Sequence, residues 1–227
     1  MYPGARDPTT PLQATDAPWF VEIVELARKG DKSAFDNLYQ HFYTPICLYL
    51  AHMVGDNEEG HDLAQETFLK VWRSLPAIHN EYRFDTWLYR IATNTAIDQL
   101  RRRKFRWQSG KDRRNEDLSE YMCVSGPEER VAEVEHIQQA LAQVSLKYRS
   151  CLLLQLVANL PQREIAASLH ISPKSVSIYV SRGSEQFRLA YQRLLQTSSK
   201  SLQKEEAQTN DRLDSYTMYR LGTETFG

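Results

Sequence analysis

The chain of 227 residues has only three cysteines, nine glycines and nine prolines, and it has no apolar run of the length that crosses a membrane. Cys47, Cys123 and Cys151 are too few and too scattered for a disulfide framework or a zinc knuckle, so we expect reduced thiols. The small share of glycine and proline excludes collagen-like and low-complexity architectures. The first 18 residues lack the basic start and apolar centre of a secretory signal. We therefore expect a cytoplasmic protein without membrane insertion.

The chain also lacks the short motifs that carry catalysis or bind metals. It has no glycine-rich phosphate loop, no G-x-S-x-G and no H-E-x-x-H. Its six histidines are scattered, and none stands in metal-ligand spacing with a cysteine. We expect a protein that is not an enzyme and that needs neither a cofactor nor a metal.

Charge alternates along the chain, although the net charge is only -1. Residues 55–82 carry six acidic and two basic side chains, whereas residues 83–114 carry ten basic and three acidic ones. Residues 115–135 are again acidic, with seven acids against one base, and residues 136–196 carry seven bases against two acids. Two basic blocks separated by an acidic spacer favour two surfaces for a polyanion, with solvated faces of alternating sign as the other interpretation.

The sequence divides into two globular units with polar segments around them. Residues 1–18 hold four of the nine prolines and predict a flexible arm. A first unit spans residues 19–107, a flexible linker 108–127, and a second unit 128–196. Residues 197–227 are polar and of mixed charge, which predicts a mostly disordered tail, with at most a short helix near its end. Because strand alternation is absent, we expect an all-α protein of two small helical domains.

Helical periodicity in the first unit gives specific expectations. Asp31 suits the N-cap of a helix in which Pro45 predicts a kink or a break near Tyr43. From residue 62 to 75, apolar residues spaced by three and four predict one buried face. The opposite face would carry Asp62, Gln65 and Glu66, among others, either as a solvated surface or as a docking surface for a basic protein partner.

Residues 82–107 combine cations with aromatic rings, a pattern that suits single-stranded or melted nucleic acid. The helix expected over 84–103 has a polar stripe that includes Arg90, Asn94, Asp98 and Arg101. For Phe84 and Trp87 we favour a place in the hydrophobic core over base stacking. For the arginine run at its end we favour phosphate contact over simple solvation.

The second unit contains the strongest local motif, at residues 162–183. A short amphipathic helix, a three-residue turn at 170–172 and a second helix have the spacing of a helix-turn-helix. Ser172 and Pro173 favour the start of that second helix, because a hydroxyl N-cap is followed by a residue without an N–H. We favour DNA binding over a generic helical hairpin.

These three constellations, in this order, resemble the extracytoplasmic-function (ECF) sigma factors of bacterial RNA polymerase. The resemblance lies in DLAQETFLKVWRSL (62–75), FDTWLYRIATNTAIDQLRRR (84–103) and the helix-turn-helix. It covers roughly residues 32–106 as sigma region 2, a helical bundle, and 132–195 as sigma region 4. The regions that larger sigma factors place between these two domains are not found.

The resemblance implies a role for each constellation. Asp62, Gln65 and Glu66 would bind the clamp coiled coil of the largest subunit of core RNA polymerase. The segment 78–83 would capture a base flipped from the non-template strand of the minus-ten element, and the next helix would contact that strand and the adjoining duplex. The implied minus-ten residues are His79, Asn80, Tyr82, Arg83, Arg90, Asn94, Asp98, Arg101 and Arg102. The implied readers of the minus-thirty-five element are Lys174, Ser175, Ser177, Ile178, Tyr179 and Arg182.

The resemblance thus implies an alternative sigma factor that initiates transcription, with core polymerase, promoter DNA and an anti-sigma factor as partners. The sequence departs from the family pattern at His170, where many relatives have a glycine, and this position is expected to favour a positive φ. A stand-alone helix-turn-helix regulator is the alternative function. A sigma-like inhibitor that docks without initiating is a third.

Overall fold

The structure, a computed structural model, describes the backbone of residues 18–78, 83–108 and 128–222, and side chains within these ranges. It is helical without strands in these ranges, as expected. The arm up to residue 17, the linker over residues 109–127 and residues 79–82 lie outside the described residues. The N-terminal unit comprises α1 (Pro18–Arg28), α2 (Lys32–Val54), α3 (Asn57–Ser74), a 3₁₀ turn (Leu75–Ala77) and α4 (Phe84–Gln108). The C-terminal unit comprises α5 (Glu128–Gln143), α6 (Leu146–Leu156), α7 (Gln162–Leu169) and α8 (Pro173–Gly222).

Helix α2 forms the centre of the N-terminal unit. Its N-cap is Asp31, whose carboxylate accepts from the Ala34 N–H at 3.0 Å, as predicted. The sequence analysis predicts a kink or a break near Tyr43; the helix is continuous through Pro45, so the break does not occur. Proline removes a single N–H donor, whereas the neighbouring side chains of the helix are buried and hold it in place. These include Phe42, Ile46, Tyr49 and Leu50, all fully buried.

Helices α3 and α4 pack against α2 with the predicted faces inward. Ala64, Phe68 and Val71 of α3 are buried, and Trp72 is partly buried. In α4, Phe84 and Trp87 are 4% and 7% exposed, which confirms that they belong to the core. Arg28 of α1 donates to the Ile78 carbonyl at 3.4 Å, which fixes the chain where it leaves the 3₁₀ turn.

The C-terminal unit contains the predicted helix-turn-helix as α7 and α8. The Ser172 hydroxyl accepts from the Ser175 N–H at 3.2 Å, which confirms the N-cap. His170 ends α7 with φ 53° and ψ 44°, the left-handed conformation expected at this position. Val176 of α8 and Ile165 of α7 are fully buried and pack between the two helices.

The backbone of α8 extends to Gly222, through residues 197–222 for which the sequence analysis expects a mostly disordered tail. No proline or glycine occurs between Gly183 and Leu221, and the segment is rich in residues that favour helices. The sequence argument relied on the missing apolar stripe. A stripe is what packs a helix onto a core, but it is not needed for the continuation of a helix that has already begun.

The two units share one hydrophobic core. Buried side chains of α6 and α7, such as Cys151, Leu154 and Ile165, belong to the same cluster as those of α2 and α4. Hydrogen bonds also join the units, including Gln138 to Asn57 at 2.9 Å. The sequence did not predict this contact, because each unit by itself has the pattern of an independent domain.

Candidate functional site

The acidic face of α3 is exposed at the positions that the sequence indicates. Asp62 and Gln65 are exposed, and Glu66 is half-buried beside Lys70, whose ammonium lies 2.8 Å from its carboxylate. Lys70 also donates to the Thr95 hydroxyl of α4 at 3.0 Å. The contacts of Lys70 with Glu66 and Thr95 fix the position of α3 along α4. The acidic face and the polar stripe of α4 therefore have a defined relative position.

An apolar groove borders this acidic face, and the sequence analysis missed it. Helices α2 and α3 form its walls, and Leu69 stands at its edge with 56% of its surface exposed. Edge-to-face ring contacts hold the walls, such as Phe35 against Trp72 with centroids 4.7 Å apart. An exposed leucine beside aromatic walls suits an apolar side chain of a protein partner. The lining residues are Lys32, Phe35, Asp36, Tyr39, Gln65, Phe68, Leu69 and Trp72.

The polar stripe of α4 is confirmed as one exposed helical face. Asn94, Asp98, Arg101 and Arg102 are exposed and Arg90 is partly exposed. The Arg101 guanidinium lies 3.7 Å from the Asp98 carboxylate. The C-terminal end of the stripe remains predominantly basic. Such a face can follow a phosphate backbone, with amide and carboxylate groups available for bases.

The segment before α4 is described only in part. His79, Asn80 and Tyr82 lie outside the described residues. Arg83 is described, and its guanidinium lies 3.2 Å from the Asp85 carboxylate and 3.1 Å from that of Glu164 in α7. A residue expected to contact DNA is thus bound to an acid of the other unit in this structure.

The first turns of α8 expose the residues expected to read duplex DNA. Lys174, Ser177 and Ile178 are exposed, and Ser175 and Tyr179 are partly exposed. Lys174, Ile178 and Arg182 follow one another at intervals of four and lie on one stripe of the helix. The stripe is about 12 Å long, since each residue rises 1.5 Å, and a major groove is about 12 Å wide. A stripe of this length is long enough for side chains both inside a major groove and at its edge.

Arg182 belongs to a cationic cluster that the sequence analysis did not identify. Its guanidinium donates to the Tyr148 hydroxyl at 3.2 Å. The ammonium of Lys147 lies 5.0 Å from the ring centroids of both Tyr148 and Tyr179. The hydrogen bond from Arg182 lowers the pKa of the Tyr148 hydroxyl, and the charge of Lys147 acts in the same direction. Neither cation has a carboxylate partner among the described residues, and both are exposed.

Lys147 was missed because it lies on α6, 27 residues before the start of the expected reading stripe at Lys174. The Lys-Tyr pair at 147–148 is a weak signal without the fold.

No helix within the described ranges is long and apolar enough to cross a membrane.

Two family models match the chain in the order of the two units. Sigma-70 region 2 matches residues 38–106, and a sigma-70 region 4 model matches residues 135–187. Apart from residues 79–82, both matches fall on described residues, and together they contain the acidic face, most of α4 and the helix-turn-helix.

Two similar proteins align with this chain over most of their own length. The ECF RNA polymerase sigma factor SigW of Bacillus subtilis is 30% identical over 173 residues, which are 73% of this chain and 92% of SigW. The RNA polymerase sigma factor CarQ of Myxococcus xanthus is 30% identical over 165 residues, 73% of this chain and 93% of CarQ.

Solved structures share the fold at lower identity. The sigma factor RpoE of Bartonella quintana, solved with the anti-sigma factor NepR, matches with a TM-score of 0.58 and 19% identity. That match covers 71% of this chain and 96% of the RpoE chain. CnrH, solved with the cytosolic domain of CnrY, matches with a TM-score of 0.56 and 21% identity over 74% of this chain and 94% of CnrH.

Proposed function

Because this chain belongs to the ECF sigma factors, and is an alternative sigma factor of bacterial RNA polymerase, we propose how its residues divide the work of initiation. Region 2 docks on core polymerase and traps the melted minus-ten element, and region 4 reads the minus-thirty-five element as duplex. The protein acts as an initiation factor and not as an enzyme, and it acts in the cytoplasm, where polymerase and template are. The observation that carries the proposal is that α3, α4 and α8 expose the expected side chains in one chain.

The docking surface that we propose combines the acidic face with the apolar groove. Asp62, Gln65 and Glu66 provide the charge that complements a basic coiled coil, and Leu69 with the groove provides an apolar anchor. Charged groups at the edge of an interface speed and orient association, whereas a desolvated apolar contact slows dissociation. Both parts face outward from the same pair of helices, so one partner surface contacts them together.

The minus-ten surface that we propose is the stripe of α4 with the segment before it. Arg90, Arg101 and Arg102 contact phosphates, while Asn94 and Asp98 approach bases of the non-template strand. His79, Asn80, Tyr82 and Arg83 would hold a flipped base, on the sequence argument alone for the first three. Unstacking a base costs a few kcal/mol, which contacts to the trapped base partly offset.

The minus-thirty-five surface that we propose includes a residue beyond those of the sequence analysis. Lys174, Ser175, Ser177 and Ile178 face base edges, of which Lys174 suits guanine acceptors. Arg182 and Lys147 hold neighbouring phosphates, with Tyr148 and Tyr179 between them as rigid supports. Phosphate contacts of this kind provide affinity and fix the register without selecting the sequence.

Reconstitution with core polymerase tests the proposed function directly. Purified protein and core enzyme should give run-off transcripts from a limited set of promoters, and mapping the start sites should reveal a two-part motif. Core polymerase without this protein is the control. A protein that binds promoter DNA and regulates without core polymerase would support the stand-alone regulator instead, and one that binds core without transcripts would support the inhibitor.

The solved relatives add a second partner to the proposal. Both were solved with another protein, which for RpoE is named as an anti-sigma factor. We extend an anti-sigma partner to this chain as a hypothesis, and co-purification from cells under non-inducing conditions is its test.

A further inference from the structure

Helix α4 carries an exposed aromatic ring near its end that the proposed surfaces do not use. Phe105 is 70% exposed, the highest value among the exposed large apolar side chains of the described residues. Phe84, Trp87 and Tyr89 of the same helix are buried and belong to the core. Of the α4 rings whose side chains are described, Phe105 alone is therefore available for the base stacking that the pattern of cations and rings favours.

Contacts on the opposite side of the last turns hold this ring outward. The Arg103 guanidinium lies 3.6 Å from the Glu59 carboxylate of α3, and Gln99, one turn earlier, donates to the same carboxylate at 2.6 Å. These contacts fix which side of α4 faces α3. Successive helical residues are about 100° apart, so Phe105 is about 200° from Arg103 around the helix axis. The ring consequently points away from the helical bundle.

Phe105 continues the polar stripe of α4 that belongs to the proposed minus-ten surface. It lies within about 20° of Asn94 and Asp98 around the helix axis. Arg101 and Arg102 lie on its two sides, about 40° and 60° away. All four of these polar side chains are exposed. The stripe from Asn94 to Phe105 is about 16 Å long, the length of about five stacked nucleotides, so one strand can follow it to the ring.

The cations around the ring indicate the chemistry of its partner. Arg101, Arg102 and Lys104 are exposed, so an apolar protein surface over the ring would also have to desolvate charged groups. A nucleic acid suits both parts, because its phosphates pair with the cations and each base has a flat π face. Inside a continuous duplex both faces of a base pair are covered by its neighbours. The ring can therefore stack only where the duplex is interrupted.

We propose that Phe105 stacks on the base pair that ends the upstream duplex where the minus-ten element melts. The proposal rests on the proposed function, from which it takes the position of the melted strand along α4. The chain leaves this end of α4 toward region 4, which reads the upstream element, so this end faces the upstream duplex. Stacking stabilises the melted state alone, because the same face is covered in the closed promoter. Phe105 is thus a positioning residue for promoter opening.

A fork template with holoenzyme tests the stacking. The template takes its sequence from the start sites that run-off mapping gives, with a duplex upstream part and a single-stranded minus-ten element. 2-Aminopurine replaces the last paired base, and stacking quenches its fluorescence. Phe105→Ala should give a brighter complex than the wild-type protein and weaken fork binding about 5- to 100-fold. Phe105→Trp should retain the quenching, whereas Phe105→Leu, which is apolar but has no π face, should behave like Phe105→Ala.

Three comparisons separate stacking from other roles. Phe105→Ala should keep the salt slope of the wild-type protein, whereas Arg102→Ala should reduce it by about one unit through a lost phosphate contact. Phe105→Ala should also keep the wild-type helix content, since the ring is 70% exposed. Leu156→Ala is the matched control, because Leu156 is 68% exposed at the end of α6 and lies outside the proposed surfaces. It should change neither fluorescence nor affinity.

The outcomes distinguish this inference from the proposed function. Equal fluorescence of the Phe105→Ala and wild-type complexes would overturn the stacking. If Phe105→Ala instead loses affinity for core polymerase at unchanged fluorescence, the ring contacts protein and the proposal is wrong. Run-off transcription by the wild-type protein tests the proposed function separately. A wild-type protein that gives transcripts while Phe105→Ala opens promoters equally well would overturn the inference alone, and a wild-type protein without transcripts would overturn both.

Discussion

Single residues determine how accurately the helix-turn-helix is held and how strongly it binds. His170 shows this for stability, because a side chain in the left-handed region costs about 1 kcal/mol that glycine avoids. The structure tolerates this cost at the turn since the flanking helices α7 and α8 are fixed by their shared core. The residue is therefore a position where the fold is less stable than it could be.

The first prediction follows from this backbone strain. His170→Gly should raise the free energy of unfolding by about 0.5–1 kcal/mol, because glycine removes the strain but gains freedom in the unfolded chain. Urea unfolding followed by circular dichroism measures the change. Asn159→Gly is the control, since Asn159 has φ 50° but asparagine tolerates this region and should gain less. A less stable His170→Gly protein would contradict the argument.

The second prediction concerns the cationic cluster of region 4. Lys147→Ala and Arg182→Ala should each reduce the salt slope of holoenzyme binding to promoter DNA by about one unit, equally across upstream sequences. Lys174→Ala should instead change the preferred upstream sequence, with a loss of about 1–3 kcal/mol of discrimination. Filter binding over a salt series and a randomised upstream element measure the two effects.

Arg188→Ala is the matched control for the cluster, because Arg188 is a cation of the same helix that is paired with Glu185 at 2.7 Å. Its removal should leave the slope unchanged. If Lys147→Ala has the slope of the wild-type protein while Arg182→Ala does not, Lys147 takes no part in DNA binding.

At the scale of helices, the pairs α2–α3 and α3–α4 decide which side chains are available to partners. The apolar stripe of α3 is buried against α2, and this leaves its acidic face toward solvent next to the groove. The bridge from Lys70 to Thr95 then sets α4 beside it. The polymerase surface and the minus-ten surface that we propose are consequently two sides of one helical layer.

The third prediction tests this layer. Asp62→Lys with Glu66→Lys should weaken binding to core polymerase by at least about tenfold, because each reversed charge meets a basic partner surface. The free energy of unfolding should change by no more than about 0.5 kcal/mol for the exposed Asp62. Glu22→Lys, an exposed acid on α1, is the control for charge reversal. Normal affinity of the folded double variant would remove the acidic face from the docking surface.

At the scale of the whole molecule, the shared core couples two regions that the sequence presents as separate. Gly60 of α3 lies so close to α2 that an added Cβ would stand 2.8 Å from the Ala51 backbone. The helices approach closely here, and they carry the surface on which region 4 rests. Disturbing this crossing in region 2 should therefore be felt in region 4.

The fourth prediction uses this crossing. Gly60→Ala should cost about 1–3 kcal/mol of stability through overpacking, and it should also speed hydrogen exchange of the α6 amides of region 4. Gly183→Ala is the comparison, since its Cβ would meet the Tyr148 carbonyl at a milder 3.1 Å within region 4. Unchanged exchange in α6 after Gly60→Ala would show that the regions fold independently.

The sequence by itself determined the all-helical class, the caps at Asp31 and Ser172 and the order of the functional segments. Asp31 and Ser172 cap as predicted, and the buried stripe of α3 follows its spacing, because such features depend on residues within about one helical turn. The tertiary structure alone decided that α2 passes through Pro45, that a groove borders the acidic face and that Lys147 joins Arg182. It also decided that Arg83 meets Glu164. Thr86 and Glu164 are 78 positions apart, and a contact over that separation depends on how whole helices pack, which local periodicity does not encode.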